Sequence, residues 1–168
     1  VVLVEKRADV AFGTTKANTA LVHAGYDAEP GTWKARLNAR GNALYPEVCA
    51  ELGVAYKNTG SLVVAFAEEQ TVHLHELKAR GETNGVPGLE VIPRERVLAI
   101  EPGVNPSVVA ALWAPTGGIT SPWELAIAYA ENAVVNGVEL LLSSPVIGID
   151  MRGGRAVSVR CPGVVIDT

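Results

Sequence analysis

His23 is the side chain of this sequence best suited to moving a proton near neutral pH, and it stands in the run Leu21-Val22-His23-Ala24-Gly25-Tyr26-Asp27. An imidazole titrates in the range where a general base has to work. Beside Ala20, Leu21 and Val22 a lone histidine is also, and more often, a packed residue donating to a backbone carbonyl. Glu5 closes the apolar run Val1-Val2-Leu3-Val4. A carboxylate ending a buried parallel strand can accept the hydroxyl protons of a nucleotide ribose, the alternative being a solvated strand end. The run Gly13-Thr14-Thr15-Lys16-Ala17-Asn18-Thr19 offers small residues, hydroxyls and an amide. Its backbone N–H groups could approach a pyrophosphate or a ring edge, or the run is an ordinary polar loop capping the next helix. Lys34 could meet a substrate phosphate or carboxylate, although a helix lysine is usually solvated. His73 and His75 lie two apart and point to different faces of a helix, so they cannot form an i, i+4 metal pair; no metal site is expected.

The elements that must hold these residues follow from pattern and punctuation. Glu29 to Gly53 reads as a helix opening near Gly31-Thr32, with Trp33, Leu37, Leu44, Val48 and Leu52 as its apolar stripe and Pro46 bending or interrupting it. Gly53 suits the left-handed position that ends a helix, and Tyr56 to Ala67 reads as a strand. A helix from Glu68 to Arg80, a strand Leu89 to Ile92, a helix Pro93 to Ile100 and a strand Val108 to Ala114 come next. Ser121-Pro122-Trp123-Glu124 is a capping box with proline at the first helical position, starting a helix that Gly137 terminates. The strand Val138 to Leu142 follows. Pro145 to Asp150, Ala156 to Arg160 and Val164 to Ile166 then read as a small meander joined by Gly153-Gly154 and Pro162-Gly163. The irregular order lacks a βαβ rhythm and argues for a mixed or antiparallel sheet in the middle of the chain.

The 168 residues, 48% of them hydrophobic, suffice for roughly one domain. A net charge of -4 supplies no basic stripe, which removes electrostatic support for nucleic acid or anionic lipid. The longest apolar runs, Leu62 to Ala67 and Val108 to Ala114, fall far short of the ~20 residues of a membrane helix. No signal-peptide pattern is visible. Cys49 and Cys161 have neither metal-ligand nor redox-motif spacing and are expected to be reduced, buried thiols of a cytoplasmic protein.

Several motifs together resemble one family. Val4-Glu5-Lys6, Gly13 to Thr19, His23-Ala24-Gly25-Tyr26, Pro30-Gly31-Thr32-Trp33-Lys34-Ala35, Gly60-Ser61-Leu62-Val63-Val64-Ala65, Asn84-Gly85-Val86-Pro87-Gly88-Leu89 and Glu101-Pro102 occur in order. They resemble the FAD-dependent glycerol-3-phosphate dehydrogenase and L-2-hydroxyglutarate oxidase branch of the D-amino-acid-oxidase-like flavoproteins. The resemblance implies an α+β fold: an α/β nucleotide-domain remnant plus a mixed or antiparallel cap sheet. Residues 1–55 would be a partial FAD-binding domain, 56–121 a substrate or cap segment, and 122–168 the return to the FAD-binding domain with its β-meander. It implies FAD as cofactor, bound through Glu5, Lys6, Thr14, Thr15, Asn18, Thr19 and the backbone of Val146. His23 becomes the catalytic base near the flavin, and Lys34 a substrate ligand. The implied substrate is a small 2-hydroxy or phosphorylated alcohol, with glycerol 3-phosphate first and L-2-hydroxyglutarate as the alternative; the electron acceptor is unassigned. A cytoplasmic location is expected, with peripheral membrane attachment open. No G-x-G-x-x-G turn occurs, so the chain reads as a piece of a larger flavoprotein. By itself it is expected to be inactive, a folded non-catalytic module.

Overall fold

The computed structural model describes residues 1–168. In chain order the elements are β1 (Val2–Val4), β2 (Leu21–Val22), α1 (Trp33–Glu51), β3 (Tyr56–Lys57), β4 (Ser61–Ala65), α2 (Thr71–Thr83), β5 (Glu90–Pro93), α3 (Arg94–Ile100), β6 (Ala110–Ala114), β7 (Gly118–Thr120), α4 (Pro122–Val135), β8 (Glu139–Leu141), β9 (Gly148–Arg152), β10 (Arg155–Cys161) and β11 (Val164–Asp167). Short 3₁₀ turns cover Thr14–Lys16 and Glu68–Gln70. Four helices and four small sheets make the chain α+β, as its element order implied. It divides into two compact units. One comprises Val1–Thr19, Leu52–Val54 and Ser121–Thr168, the other Ala20–Glu51 and Ala55–Thr120. The chain changes unit after Thr19, returns briefly at Leu52–Val54, and returns again at Ser121.

In the first unit β1 pairs in parallel with β8, Val2 opposite Glu139 and Val4 opposite Leu141. Parallel pairing agrees with the sequence, but burial does not: Leu3 is 45% exposed. Ser121 caps α4, its hydroxyl accepting from Glu124 N at 3.3 Å with Pro122 in the first turn. Strands β9, β10 and β11 form the expected antiparallel meander. The turn between β9 and β10 holds Gly153 and Gly154 both at positive φ, the geometry that matches the twist of a two-residue hairpin.

In the second unit the sheet runs β4-β6-β5, all antiparallel. Leu112 and Ala114 of β6 pack with Leu74 and Leu77 of α2, and Ala111 packs with Val97 of α3. Alternating β6 residues thus serve two apolar clusters, which is why that strand reads as an unbroken apolar run. A smaller antiparallel sheet, β2-β7-β3, stands beside α1 in sequence.

Several expectations are corrected. The single strand drawn from Tyr56 to Ala67 is two strands in two sheets, parted at Gly60, whose φ of +66° breaks the extended path. Pro46 does not interrupt α1, which runs through it; the loss is the N–H that would have bonded the Asn42 carbonyl one turn back. The stripe that α1 buries is Ala35, Asn42 and Cys49, seven apart, whereas Trp33, Leu37 and Leu44 are exposed. Helix α1 opens where the sequence reading put it, near Gly31-Thr32: Thr32 caps it, its hydroxyl accepting from Ala35 N at 3.2 Å, and the helix runs from Trp33.

Candidate active site

Glu5 follows directly on β1. Its N–H donates to the Leu141 carbonyl at 2.9 Å and its carbonyl accepts from Ser144 N at 2.8 Å, so the parallel ladder continues one step past the strand. The carboxylate is aimed by the turn behind it, Oε1 accepting from Arg7 N at 2.7 Å. Val4, Glu5, Lys6, Ser144, Pro145 and Val146 line a cleft of about 380 Å³. Glu5 and Lys6 belong to a segment nearly the whole chain away from Val146, and all three share this cleft. A half-buried carboxylate at the carboxyl end of a parallel strand, over a cleft of mixed polar and apolar lining, can accept hydrogen bonds from the hydroxyls of a ligand there.

The Gly13 to Thr19 run is built differently from a bare polar loop. Thr14–Lys16 forms a 3₁₀ turn, and the Asn18 amide donates to the Thr15 carbonyl at 2.9 Å and the Thr14 carbonyl at 3.3 Å, closing the turn from its C-terminal side. Thr15 is half-buried; Thr14, Asn18 and Thr19 are exposed. Lys16 Nζ lies 4.2 Å from the centre of the Phe12 ring, a cation–π contact. Both side chains line a mainly apolar cavity of about 330 Å³ with Asp9, Val10, Ala11, Trp123 and Ile127. Nothing in the sequence marked this cavity: Phe12 belongs to no motif, and Trp123 was marked only as part of the capping box that starts α4.

The second unit holds His23 and Lys34. His23 leaves β2 with its side chain exposed between buried Val22 and buried Ala24. Its carbonyl accepts from two side-chain amides of α1, Asn38 Nδ2 at 3.0 Å and Asn42 Nδ2 at 3.2 Å. A third amide, Asn84 at the end of α2, donates to the carbonyls of Gly25 at 3.0 Å and Ala28 at 2.7 Å. The segment from His23 to Ala28 is thus held by side-chain donors in place of a strand partner. Asparagine weakens a helix interior, so an Asn at 38 and again at 42 was the available sign that α1 carries more than packing. Tyr26 bonds Ser61; burial pushes its phenol above the ordinary value, the Ser61 bond pulls it down and the Asp27 carboxylate raises it further. Lys34 Nζ lies 3.8 Å from Asp27 Oδ2, both side chains well exposed.

The expected residues fall into two groups: Glu5, Lys6, Thr14, Thr15, Asn18, Thr19 and Val146 in one unit, His23 and Lys34 in the other. His73 and His75 are exposed, His73 Nδ1 standing 3.2 Å from Glu76 Oε2. No three His, Cys, Asp or Glu side chains gather where they could hold a metal. Cys49 and Cys161 are buried free thiols. No helix is long and apolar enough to cross a membrane.

Comparison with known proteins bears on the chain as a whole. The sequence model of the FAD dependent oxidoreductase family matches residues 1–168. Glycerol 3-phosphate dehydrogenase of Caloramator mitchellensis is 49% identical over 99% of this chain, which spans 37% of that relative's length. Mitochondrial L-2-hydroxyglutarate dehydrogenase of Homo sapiens is 31% identical over 97% of the chain and 39% of its own length. Among solved structures, FAD-bound, dithionite-reduced L-alpha-glycerophosphate oxidase from Mycoplasma pneumoniae superposes with a TM-score of 0.86 at 29% identity, over 96% of this chain and 42% of that one. With a matching family model along its whole length, and a cleft that brings Glu5, Lys6 and Val146 together, this chain belongs to the FAD dependent oxidoreductase family.

Proposed function

We propose that the protein oxidises the secondary alcohol of glycerol 3-phosphate to dihydroxyacetone phosphate. The observation that carries this reading is 49% identity to a glycerol 3-phosphate dehydrogenase along 99% of the chain. FAD, when bound, supplies the acceptor for the substrate's hydride. Glu5 accepts hydrogen bonds from the adenosine ribose, Lys6 stands in the same cleft, and the Val146 backbone meets the adenine. Thr14, Thr15 and Thr19 bring hydroxyl and backbone donors to the rest of the cofactor, and Asn18, its NH₂ spent on the Thr14 and Thr15 carbonyls, shapes the turn that presents them and brings its backbone N–H. A ring nitrogen of His23 takes the proton of the substrate hydroxyl, and its exposed side chain on a backbone pinned by Asn38 and Asn42 supports that role. Lys34, a solvated ammonium, attracts the substrate phosphate. Residues 1–55 and 122–168 serve the cofactor, apart from His23 and Lys34, which face the substrate, and 56–121 serve the substrate. Two buried free thiols suit a reducing compartment, and we place the protein in the cytoplasm.

A second reading, oxidation of L-2-hydroxyglutarate, is supported by 31% identity to the human dehydrogenase of that substrate. Both readings share the base. In the full-length flavin-loaded protein His23→Ala should slow flavin reduction by the substrate about 10²–10⁴-fold, the usual contribution of a positioned acid or base, with flavin content unchanged. Reduction as fast as in the wild type would return His23 to a packing role.

A further inference from the structure

We propose that Asn42 is a positioning residue for His23, acting through the His23 backbone rather than on the substrate. The inference rests on the reading of His23 as the base and adds a residue that no motif marked. Strands β2 and β7 pair as far as Val22 opposite Gly118, and there their ladder stops. Just beyond it lie two carbonyls, of His23 on one side and Thr116 on the other. The Asn42 amide donates to both, at 3.2 Å and 2.8 Å. One NH₂ group thereby continues the ladder by a rung that neither strand can provide. Asn38, one turn earlier on α1, takes the remaining lone pair of the His23 carbonyl at 3.0 Å.

The surroundings make this an orienting device. Asn42 is only 8% exposed, and its place in the buried stripe Ala35, Asn42, Cys49 is one that packing alone would fill with an apolar side chain. Buried amides are retained at such positions when their hydrogen bonds fix a geometry. Farther along, the segment is held by the burial of Ala24 and by Asn84 on the Gly25 and Ala28 carbonyls, whereas at His23 the side-chain amides of α1 hold the carbonyl and the ring is left in the open. With its carbonyl clamped at two points, the His23 peptide plane cannot rotate. The ring is then presented from a fixed backbone, with its own χ angles as the remaining freedom. An apolar residue at 42 would leave the Thr116 carbonyl unpaired and the His23 carbonyl held by Asn38 alone, so the peptide plane would be free to turn about that one bond.

The test is a double-mutant cycle in the full-length flavin-loaded protein, reading the limiting rate of flavin reduction under anaerobic, saturating glycerol 3-phosphate. Asn42→Ala should lower that rate about 10–100-fold, as misplacement of a reacting group does, with little change in the substrate concentration giving half-saturation. In a His23→Ala background the same substitution should have no further effect, because the ring it positions is gone. Should Asn42→Ala fail to fold, Asn38→Ala, which removes a donor to the same carbonyl from a less buried site, carries the same cycle with a smaller fall. Independent, multiplicative losses would overturn the positioning role while leaving His23 as the base. An unchanged rate in His23→Ala alone would overturn the base assignment and the positioning role with it.

Discussion

The carboxylate of Glu5 is oriented before any ligand arrives: a turn N–H from Arg7 holds one oxygen, and ladder bonds to Leu141 and Ser144 hold its backbone. A preoriented charged acceptor makes hydrogen bonds worth roughly 1.5–3 kcal/mol each to a ribose hydroxyl. Glu5→Ala in the full-length protein should therefore weaken FAD retention by at least about tenfold while leaving substrate preference as it was. Equilibrium titration of the stripped protein with FAD measures this, and unchanged affinity would count against the ribose role. Glu5 and His23 were legible in the sequence because each sits in a local motif whose residue types announce a chemistry. Asn38, Asn42 and Asn84 were not, because their role exists only through carbonyls 15 to 74 residues away in the chain. The lysine at 34 illustrates the opposite case: its type suggested a ligand, and its nearest partner is an equally solvated Asp27.

At the level of elements, what was legible is what is decided locally. The capping box at Ser121, the glycine ending α1 and the paired-glycine hairpin of the meander are each fixed by two to four neighbouring residues, and each formed where expected. The two-residue strand β2 and the three-residue β7 were not separable from loop, since they are strands only by virtue of pairing with one another. The break at Gly60 joins both kinds of information. Its positive φ is a local demand, and a Cβ there would overlap the Trp113 indole, which is a tertiary one. Gly60→Ala should therefore cost about 2–4 kcal/mol, the sum of left-handed strain and overpacking. Chemical denaturation of the variant gives that number; a loss below ~1 kcal/mol would mean that Trp113 moves aside freely. The stripe of α1 shows why amphipathic reading failed there: a helix that spends its inward face on small residues and an amide leaves its large apolar residues outside.

For the molecule as a whole, the order of motifs along the chain carried more than composition did. A net charge of -4 and 48% hydrophobic residues excluded partners without naming a substrate, whereas the succession from Glu5 through His23 to Val146 named a cofactor. The family match over residues 1–168 agrees with that cofactor, and the chain spans 37% of the glycerol 3-phosphate dehydrogenase it resembles. The central claim is that the full-length protein passes a hydride from glycerol 3-phosphate to FAD. Anaerobic mixing of the flavin-loaded protein with glycerol 3-phosphate, and separately with L-2-hydroxyglutarate, tests it by the loss of oxidised-flavin absorbance. The account predicts complete bleaching by glycerol 3-phosphate and slow or negligible bleaching by L-2-hydroxyglutarate. A flavin that stays oxidised with glycerol 3-phosphate, whether or not L-2-hydroxyglutarate reduces it, would contradict the assignment.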